Sequence, residues 1–60
     1  MWSVYILKSK KDGGYYIGCT SNLVQRVKEH NLGYNYSTKN RVPLTLVYSE
    51  KYSSREEAFA

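Results

Sequence analysis

The sequence predicts an α+β fold: helices packed on an antiparallel sheet, in the order β-β-α-β-α. Three observations predict it. Two short runs rich in β-branched and aromatic residues, 2–7 and 15–19, flank an Asp-Gly-Gly turn. A helical stripe of apolar residues follows at 20–30, and a third alternating run lies at 44–48. Finally, Ser54-Arg55-Glu56-Glu57 has the hydroxyl-to-glutamate spacing of a capping box and opens a second helix.

In the first strand, residues 2–7, Ser3, Tyr5 and Leu7 share one face, with Val4, Ile6 and Lys8 on the other. Lys10-Lys11-Asp12-Gly13-Gly14 supplies the positive φ angles of a hairpin connection, so the second strand, residues 15–19, returns antiparallel. Gly18 leaves room there for a close approach by backbone or ligand. In the helix over residues 20–30, Leu23, Val24 and Val27 form the apolar stripe, and the Thr20 or Ser21 hydroxyl is the expected cap. Gly33 is the natural left-handed terminator. Residues 33–41 show no periodicity and read as a polar, basic loop closed by Pro43. The third strand, residues 44–48, puts Leu44, Leu46 and Tyr48 on one side. The second helix is cut at Ala60, one turn after its cap, where too little propagation follows the nucleus to stabilise it. The expectation is one domain over residues 1–60, its C-terminal part missing.

Composition narrows the setting. Sixty residues make one small domain, with a core too small to be robust by itself. Cys19 is the lone cysteine, which rules out an internal disulfide framework and suits a reducing compartment. No apolar run reaches membrane-spanning length, and the start lacks the basic and apolar segments of a signal peptide. A cytoplasmic location and no membrane partner are therefore expected. Nine Lys and Arg against five Asp and Glu leave a net charge of +4, which favours acidic partners such as nucleic acid. Seven tyrosines are many for so small a core, because every phenol needs water or a partner. Cys19 and Trp2 read as packing residues, and Lys10-Lys11 as a solvated turn.

Four residues carry the chemistry. Tyr5 and Tyr16 sit on adjacent strands, and Arg26 and His30 leave one helix face a turn apart. Together the last two would make a cationic, proton-exchanging ridge suited to phosphate. For phosphodiester hydrolysis Arg26 would neutralise a phosphate oxygen. A tyrosine polarised by a nearby cation would take a proton from water, and His30 could do the same or orient the phosphate. As a helix C-terminal residue His30 also has a plain role, its charged form favoured by the helix dipole. The candidate metal carboxylates are Asp12, Glu29, Glu50, Glu56 and Glu57, none clearly placed for the task.

Ser3-Val4-Tyr5 followed by Tyr16-Ile17-Gly18 resembles the paired signature of the GIY-YIG nuclease superfamily. Ser3 and Val4 stand where its first triplet has glycine and isoleucine. The resemblance extends to Arg26-x-x-x-His30-Asn31, to Ser37-Thr38-Lys39 and to Arg41-x-Pro43-x-x-Leu46-Val47-Tyr48, and is strongest to small stand-alone bacterial members. It implies a three-stranded antiparallel sheet flanked by helices and a metal-dependent DNA endonuclease. Tyr5 and Tyr16 match the motif tyrosines, one of which is the base; members differ on which. Arg26 matches the phosphate-binding arginine, and His30 an assisting histidine. The family's metal ligand is a glutamate in a pattern like Glu-Ala-x-x-x-Glu. Glu57-Ala58 matches its start, so the ligand is expected about two residues past Ala60. Magnesium or manganese is thus implied for the complete protein, with no small-molecule cofactor and no metal ligand in this chain, which by itself is expected to be inactive.

The alternative is a nucleic-acid-binding module without cleavage. There Lys10, Lys11, Lys39 and Arg41 bind phosphates while Tyr34 and Tyr36 stack bases. A third reading is a protein-interaction module using exposed tyrosines and a sheet edge.

Overall fold

Five elements appear in the computed structural model, which describes residues 1–59: β1 (Trp2–Ser9), β2 (Tyr15–Thr20), α1 (Leu23–Asn31), β3 (Leu44–Tyr52) and α2 (Arg55–Phe59). The strands form one antiparallel sheet in the order β2-β1-β3, so β1 is central and pairs on both edges. The α+β class and the order β-β-α-β-α are as the sequence predicts. Ala60, where the second helix is expected to be cut, lies outside the described residues.

The alternation of β1 decides the two faces of the sheet. Ser3, Tyr5, Leu7 and Ser9 are all buried, and the residues between them are not. Tyr5, Leu7 and Leu44 are the fully buried hydrophobic residues, with Tyr16, Leu23, Val27 and Val42 packed around them. A core this small must also bury polar groups, and it does: Ser9, His30 and Thr38 are no more than 1% exposed. Each has a hydrogen-bond partner, as buried polar groups require.

Strand β3 runs to Tyr52, four residues beyond the expected end, because it pairs with the whole of β1. Its register shifts between Ile6, which faces Tyr48, and Leu7, which faces Leu46. Val47 is the extra residue of this bulge. A one-residue insertion turns every later side chain to the opposite face. Leu44 and Leu46 therefore lie opposite Ser9 and Leu7 on the core face, whereas Tyr48 lies opposite Ile6 on the other. The expectation that all three share a side fails at Tyr48 for this reason.

Helix α1 begins later than the stripe suggests. Thr20 is still the last residue of β2, and the chain needs Ser21 and Asn22 to turn. Asn22, not Thr20 or Ser21, is the cap: its Oδ1 accepts from the Gln25 amide at 3.2 Å. Thr20 Oγ1 instead accepts from the Asn22 amide at 3.1 Å and shapes the turn. Leu23, Val27 and His30 face the sheet at i, i+4 and i+7, and Val24 is left 79% exposed. At the other end Gly33 has φ +82°. The Gly33 amide donates to the His30 carbonyl and the Tyr34 amide to the Glu29 carbonyl, the double closure of a Schellman end.

The loop after α1 is folded back onto the hairpin. Ser9 Oγ donates to the Arg41 carbonyl at 2.6 Å, and the Lys10 amide to the Pro43 carbonyl at 2.9 Å. Asn31 brackets the start of β3: its Nδ2 donates to the Leu44 carbonyl at 2.9 Å, and its Oδ1 accepts the Leu44 amide at 2.6 Å. At α2, Ser54 Oγ accepts from the Glu57 amide at 3.2 Å, which is half of the predicted box. The Glu57 carboxylate takes the Ser53 hydroxyl instead of closing the other half. Trp2, only half-buried, lies beneath the Arg55 guanidinium at 5.8 Å on the face away from α1.

Candidate active site

Three elements bring Tyr5, Tyr16 and His30 to one place. Tyr5 points from the middle of β1, where both neighbouring strands hold the backbone, into the core at 1% exposure. Across the hairpin it faces Gly18, and Tyr16 faces Leu7. A Cβ at position 18 would meet Cζ of Tyr5 at 2.5 Å, so the absence of a side chain there is what lets the phenol lie flat against β2. Tyr16 is half-buried, its ring centroid 6.4 Å from that of Tyr5 and 4.9 Å from that of His30.

His30 is fully buried at the end of α1. Its Nε2 lies 3.0 Å from Tyr5 Oη, and its Nδ1 lies 2.8 Å from Thr38 Oγ1. Burial, with Arg26 assisting, lowers the imidazole below its ordinary range, so the ring is neutral at neutral pH. This corrects the picture of a cationic ridge. The helix dipole favours the charged form, but its effect is smaller than the cost of charging a ring sealed from water.

Arg26 supplies the fixed charge. It lies one turn before His30, a third exposed at its side chain, with Nη1 3.1 Å from Glu29 Oε1. Burial works against its proton, but the contacts to Glu29 and Tyr5 outweigh burial and hold the guanidinium above its ordinary value. Burial raises the Tyr5 hydroxyl, and Arg26 beside it pulls the other way. The result is a protonated phenol next to a permanent cation, a neutral imidazole behind it, and a second phenol at the rim. An anionic oxygen arriving at Arg26 would meet the Tyr5 hydroxyl and displace, or share, the contact with Glu29.

Thr38 is the member that sequence reasoning missed. It occurs in the Ser37-Thr38-Lys39 run, but no spacing rule brings a loop hydroxyl under a helix residue eight positions earlier. The loop does so through two tight turns: the Thr38 amide donates to the Asn35 carbonyl, and the Arg41 amide to the Thr38 carbonyl.

Four of the five candidate carboxylates have partners elsewhere. Glu29 holds Arg26 and accepts from Gln25 Nε2 at 3.3 Å, contacts that keep it below its ordinary range. Asp12 is likewise low, held by the Gly14 amide and by Arg41. Glu50 accepts from the Tyr52 hydroxyl, and Glu57 from the Ser53 hydroxyl. Among the described residues no three His, Cys, Asp or Glu side chains gather where they could hold a metal ion.

The predicted basic patch is partly assembled. Lys10 and Lys11 are exposed in the β1–β2 turn, and the nearby loop exposes Tyr34, Tyr36 and Lys39. Lys39 Nζ sits 4.6 Å over the Tyr36 ring. Arg41 has a structural task as well: its Nε lies 2.9 Å from Asp12 Oδ2, which ties the loop to the turn and sets the two basic segments side by side.

Comparison with known proteins gives the chain a family. The sequence profile described as the GIY-YIG catalytic domain matches residues 1–60. The chain is 46% identical over 56 residues to a UPF0213 protein of Staphylococcus haemolyticus, covering 92% of this chain and 67% of that protein. To a UPF0213 protein of Halobacterium salinarum it is 41% identical over 59 residues, covering 97% and 75%. To UPF0213 protein YazA of Bacillus subtilis it is 42% identical over 55 residues, covering 90% and 54%. The chain thus spans about half to three quarters of the length of these relatives. No solved structure gave a significant match. No described helix is long and apolar enough to cross a membrane. The family match along the whole chain, over a three-stranded sheet that carries both motif tyrosines, establishes that this chain belongs to the GIY-YIG catalytic domain family.

Proposed function

We propose that Tyr5, Tyr16, Arg26 and His30 form the protein side of a nuclease centre that hydrolyses phosphodiester bonds in DNA. The observation that carries this reading is their convergence. Two phenols, a guanidinium and an imidazole reach one spot from two strands and a helix, with centroid separations of 4.9–6.4 Å among the three rings. Membership of a nuclease family supports the reaction class.

Arg26 binds a non-bridging phosphate oxygen and stabilises the charge that builds there in the transition state. One of the two phenols relays a proton from the attacking water, and His30 fixes Tyr5 against rotation while staying neutral. Tyr5 is sealed and braced from behind, and Tyr16 is the phenol nearer to solvent. Lys10, Lys11, Lys39 and Arg41 contact the backbone of the same nucleic acid, and Tyr34 and Tyr36 offer stacking faces. Magnesium or manganese is expected for the complete protein. The expected setting is the cytoplasm.

The test is a plasmid-nicking assay with the complete protein, with and without divalent metal. Arg26→Ala and Tyr16→Phe should each abolish nicking while the protein stays folded. Nicking at the wild-type rate by both variants would remove the proposed site. Salt-sensitive DNA binding without any metal-dependent nicking would leave a binding module.

A further inference from the structure

Among the buried polar residues Ser3, Ser9, His30 and Thr38, Ser3 is the one whose side chain has no hydrogen-bond partner among the described residues. It is 7% exposed. No described polar side-chain atom that is sealed from solvent lacks a partner, so the Ser3 hydroxyl keeps an opening. That opening is a cleft of about 380 Å³, which Ser3 lines together with Ser21, Asn22, Leu23, Val24 and Lys51. A nearly buried hydroxyl that bonds to nothing within the fold is free to bond to a ligand in the cleft.

The cleft is rich in donors, and none of the residues lining it is acidic. It lies at the start of α1, where the first amides have no partner inside the helix. Asn22 satisfies two of them: its Oδ1 takes the Gln25 amide at 3.2 Å, and its carbonyl the Arg26 amide at 3.0 Å. The Leu23 and Val24 amides are left to bond outside the helix, and both residues line the cleft. A helix start is also the positive end of the helix dipole. Lys51 stands opposite Ser3 in the β1–β3 register, so the two share a face of the sheet. Among the described residues Lys51 makes no ion pair. Hydroxyls, amides and an ammonium around one space, with no carboxylate to compete, suit an oxyanion with several acceptor oxygens.

The place of the cleft in the fold says which oxyanion. Ser3 and Tyr5 leave the same face of β1 two residues apart, about 7 Å along the strand. Successive phosphates of one nucleic-acid strand are separated by a similar step. Leu23 and Arg26 leave α1 one turn apart. The exposed Lys10-Lys11 turn lies beyond the other end of β1. A strand with one phosphate at Arg26 therefore has the basic turn on one side and this cleft on the other. We infer that the cleft is a second phosphate subsite, which holds the phosphodiester next to the one at Arg26. Lys51 supplies the counter-charge, while the Ser3 hydroxyl and the Leu23 and Val24 amides donate to the non-bridging oxygens. The place of this subsite beside a reacting phosphate rests on the nuclease reading above; its affinity for a phosphate group does not.

The test follows the amide signals of the 15N-labelled complete protein, with metal chelated, as a short DNA duplex or inorganic phosphate is added. The Leu23 and Val24 amide protons should shift downfield with the duplex and saturate, as donors that gain an anionic acceptor do. Ser3→Ala and Lys51→Gln should each raise the midpoint of that shift at least about threefold. Lys51→Gln should also lower the salt dependence of duplex affinity by roughly one unit of slope. Unmoved Leu23 and Val24 signals at saturating duplex overturn the inference, and so does an unchanged midpoint in either variant. Lys51 is exposed, so its variant decides the matter if Ser3→Ala fails to fold. A shift with inorganic phosphate and none with the duplex overturns the inference too, because the cleft would then take a free anion. Expected shifts in a complete protein that never nicks DNA would refute the nuclease reading and leave the subsite standing.

Discussion

Replacing Gly18 with alanine adds one methyl group at the most crowded point of the site. Its carbon would sit 2.5 Å from Cζ and 3.0 Å from Cε1 of Tyr5. Carbon atoms rest about 3.5–4.0 Å apart, so the ring must retreat by about 1 Å. It has nowhere easy to go, because Tyr5 is fully buried and its hydroxyl is held at 3.0 Å by His30. Overpacking of this kind costs about 1–3 kcal/mol. The strained Tyr5–His30 hydrogen bond adds about 1 kcal/mol. Alanine recovers about 0.5–1 kcal/mol relative to glycine in a strand. The net expectation is a loss of about 2 kcal/mol, where a chain of this length has on the order of 3–9 kcal/mol in total.

Urea denaturation read by tyrosine and tryptophan fluorescence gives the number directly. The internal control is Gly14→Ala, whose Cβ would also meet an atom closely, Arg41 Nη2 at 2.7 Å. That atom is the end of a long side chain on the surface and can swing away, at the expense of an exposed ion pair with Asp12 that is worth about 0–1 kcal/mol. Gly18→Ala should therefore lower the midpoint well below that of Gly14→Ala. Equal effects of the two substitutions, or a Gly18→Ala protein as stable as wild type, would refute the claim that the Tyr5 ring is boxed in.

Three further outcomes follow from the structure. His30 is neutral when folded and titrates at its ordinary value, about 6.5, when unfolded, so the unfolded chain takes up the extra proton on acidification. Stability should be fully present above about pH 6.5 and fall below it, by at most about 1.4 kcal/mol per pH unit, until the folded ring also protonates. In His30→Asn that slope just below about pH 6.5 should vanish in urea titrations, while the carboxylates Asp12 and Glu29 act only as the pH falls through their ordinary values of 3.8 and 4.5. Asn31→Ala removes both hydrogen bonds to the Leu44 backbone and should cost about 1–3 kcal/mol by thermal melts. In DNA binding, Lys10→Ala, Lys11→Ala and Lys39→Ala together should flatten the dependence of affinity on salt, by roughly one unit of slope for each phosphate no longer neutralised.

Much of the fold is legible in the chain, for physical reasons that can be traced to single residues. Strand β1 announces itself because residues 2–7 form a run rich in β-branched and aromatic residues, and the Asp12-Gly13-Gly14 turn leaves β2 only one way to return. Gly13 and Gly33 both take positive φ, as their places in a turn and a helix end require. Gly18 reads as a point of close approach, and Tyr5 is what approaches it. What is not legible depends on partners distant in sequence. The bulge at Val47 is settled by pairing with β1, which no pattern within 44–48 encodes, and it reverses Tyr48. The end of β2 decides where α1 can start, so Asn22 outcompetes two hydroxyls that look equally good as caps. Burial sets the charge of His30, and burial is a property of the packed molecule. Thr38 is hidden for the same reason: only the folded loop brings it to Nδ1.

Whether Tyr5, Tyr16, Arg26 and His30 act on a phosphodiester is best decided by following binding and cleavage of one end-labelled DNA. The complete protein and its Arg26→Ala variant would be compared under metal-replete and chelated conditions. The folded variant should still bind, with affinity within about tenfold of wild type, because in the proposed centre Arg26 would be one of several cations touching the DNA backbone. Its cleavage should fall to the chelated background, since the transition-state charge has lost its partner. Cleavage by Arg26→Ala at the wild-type rate would contradict the assignment of these residues to a nuclease centre.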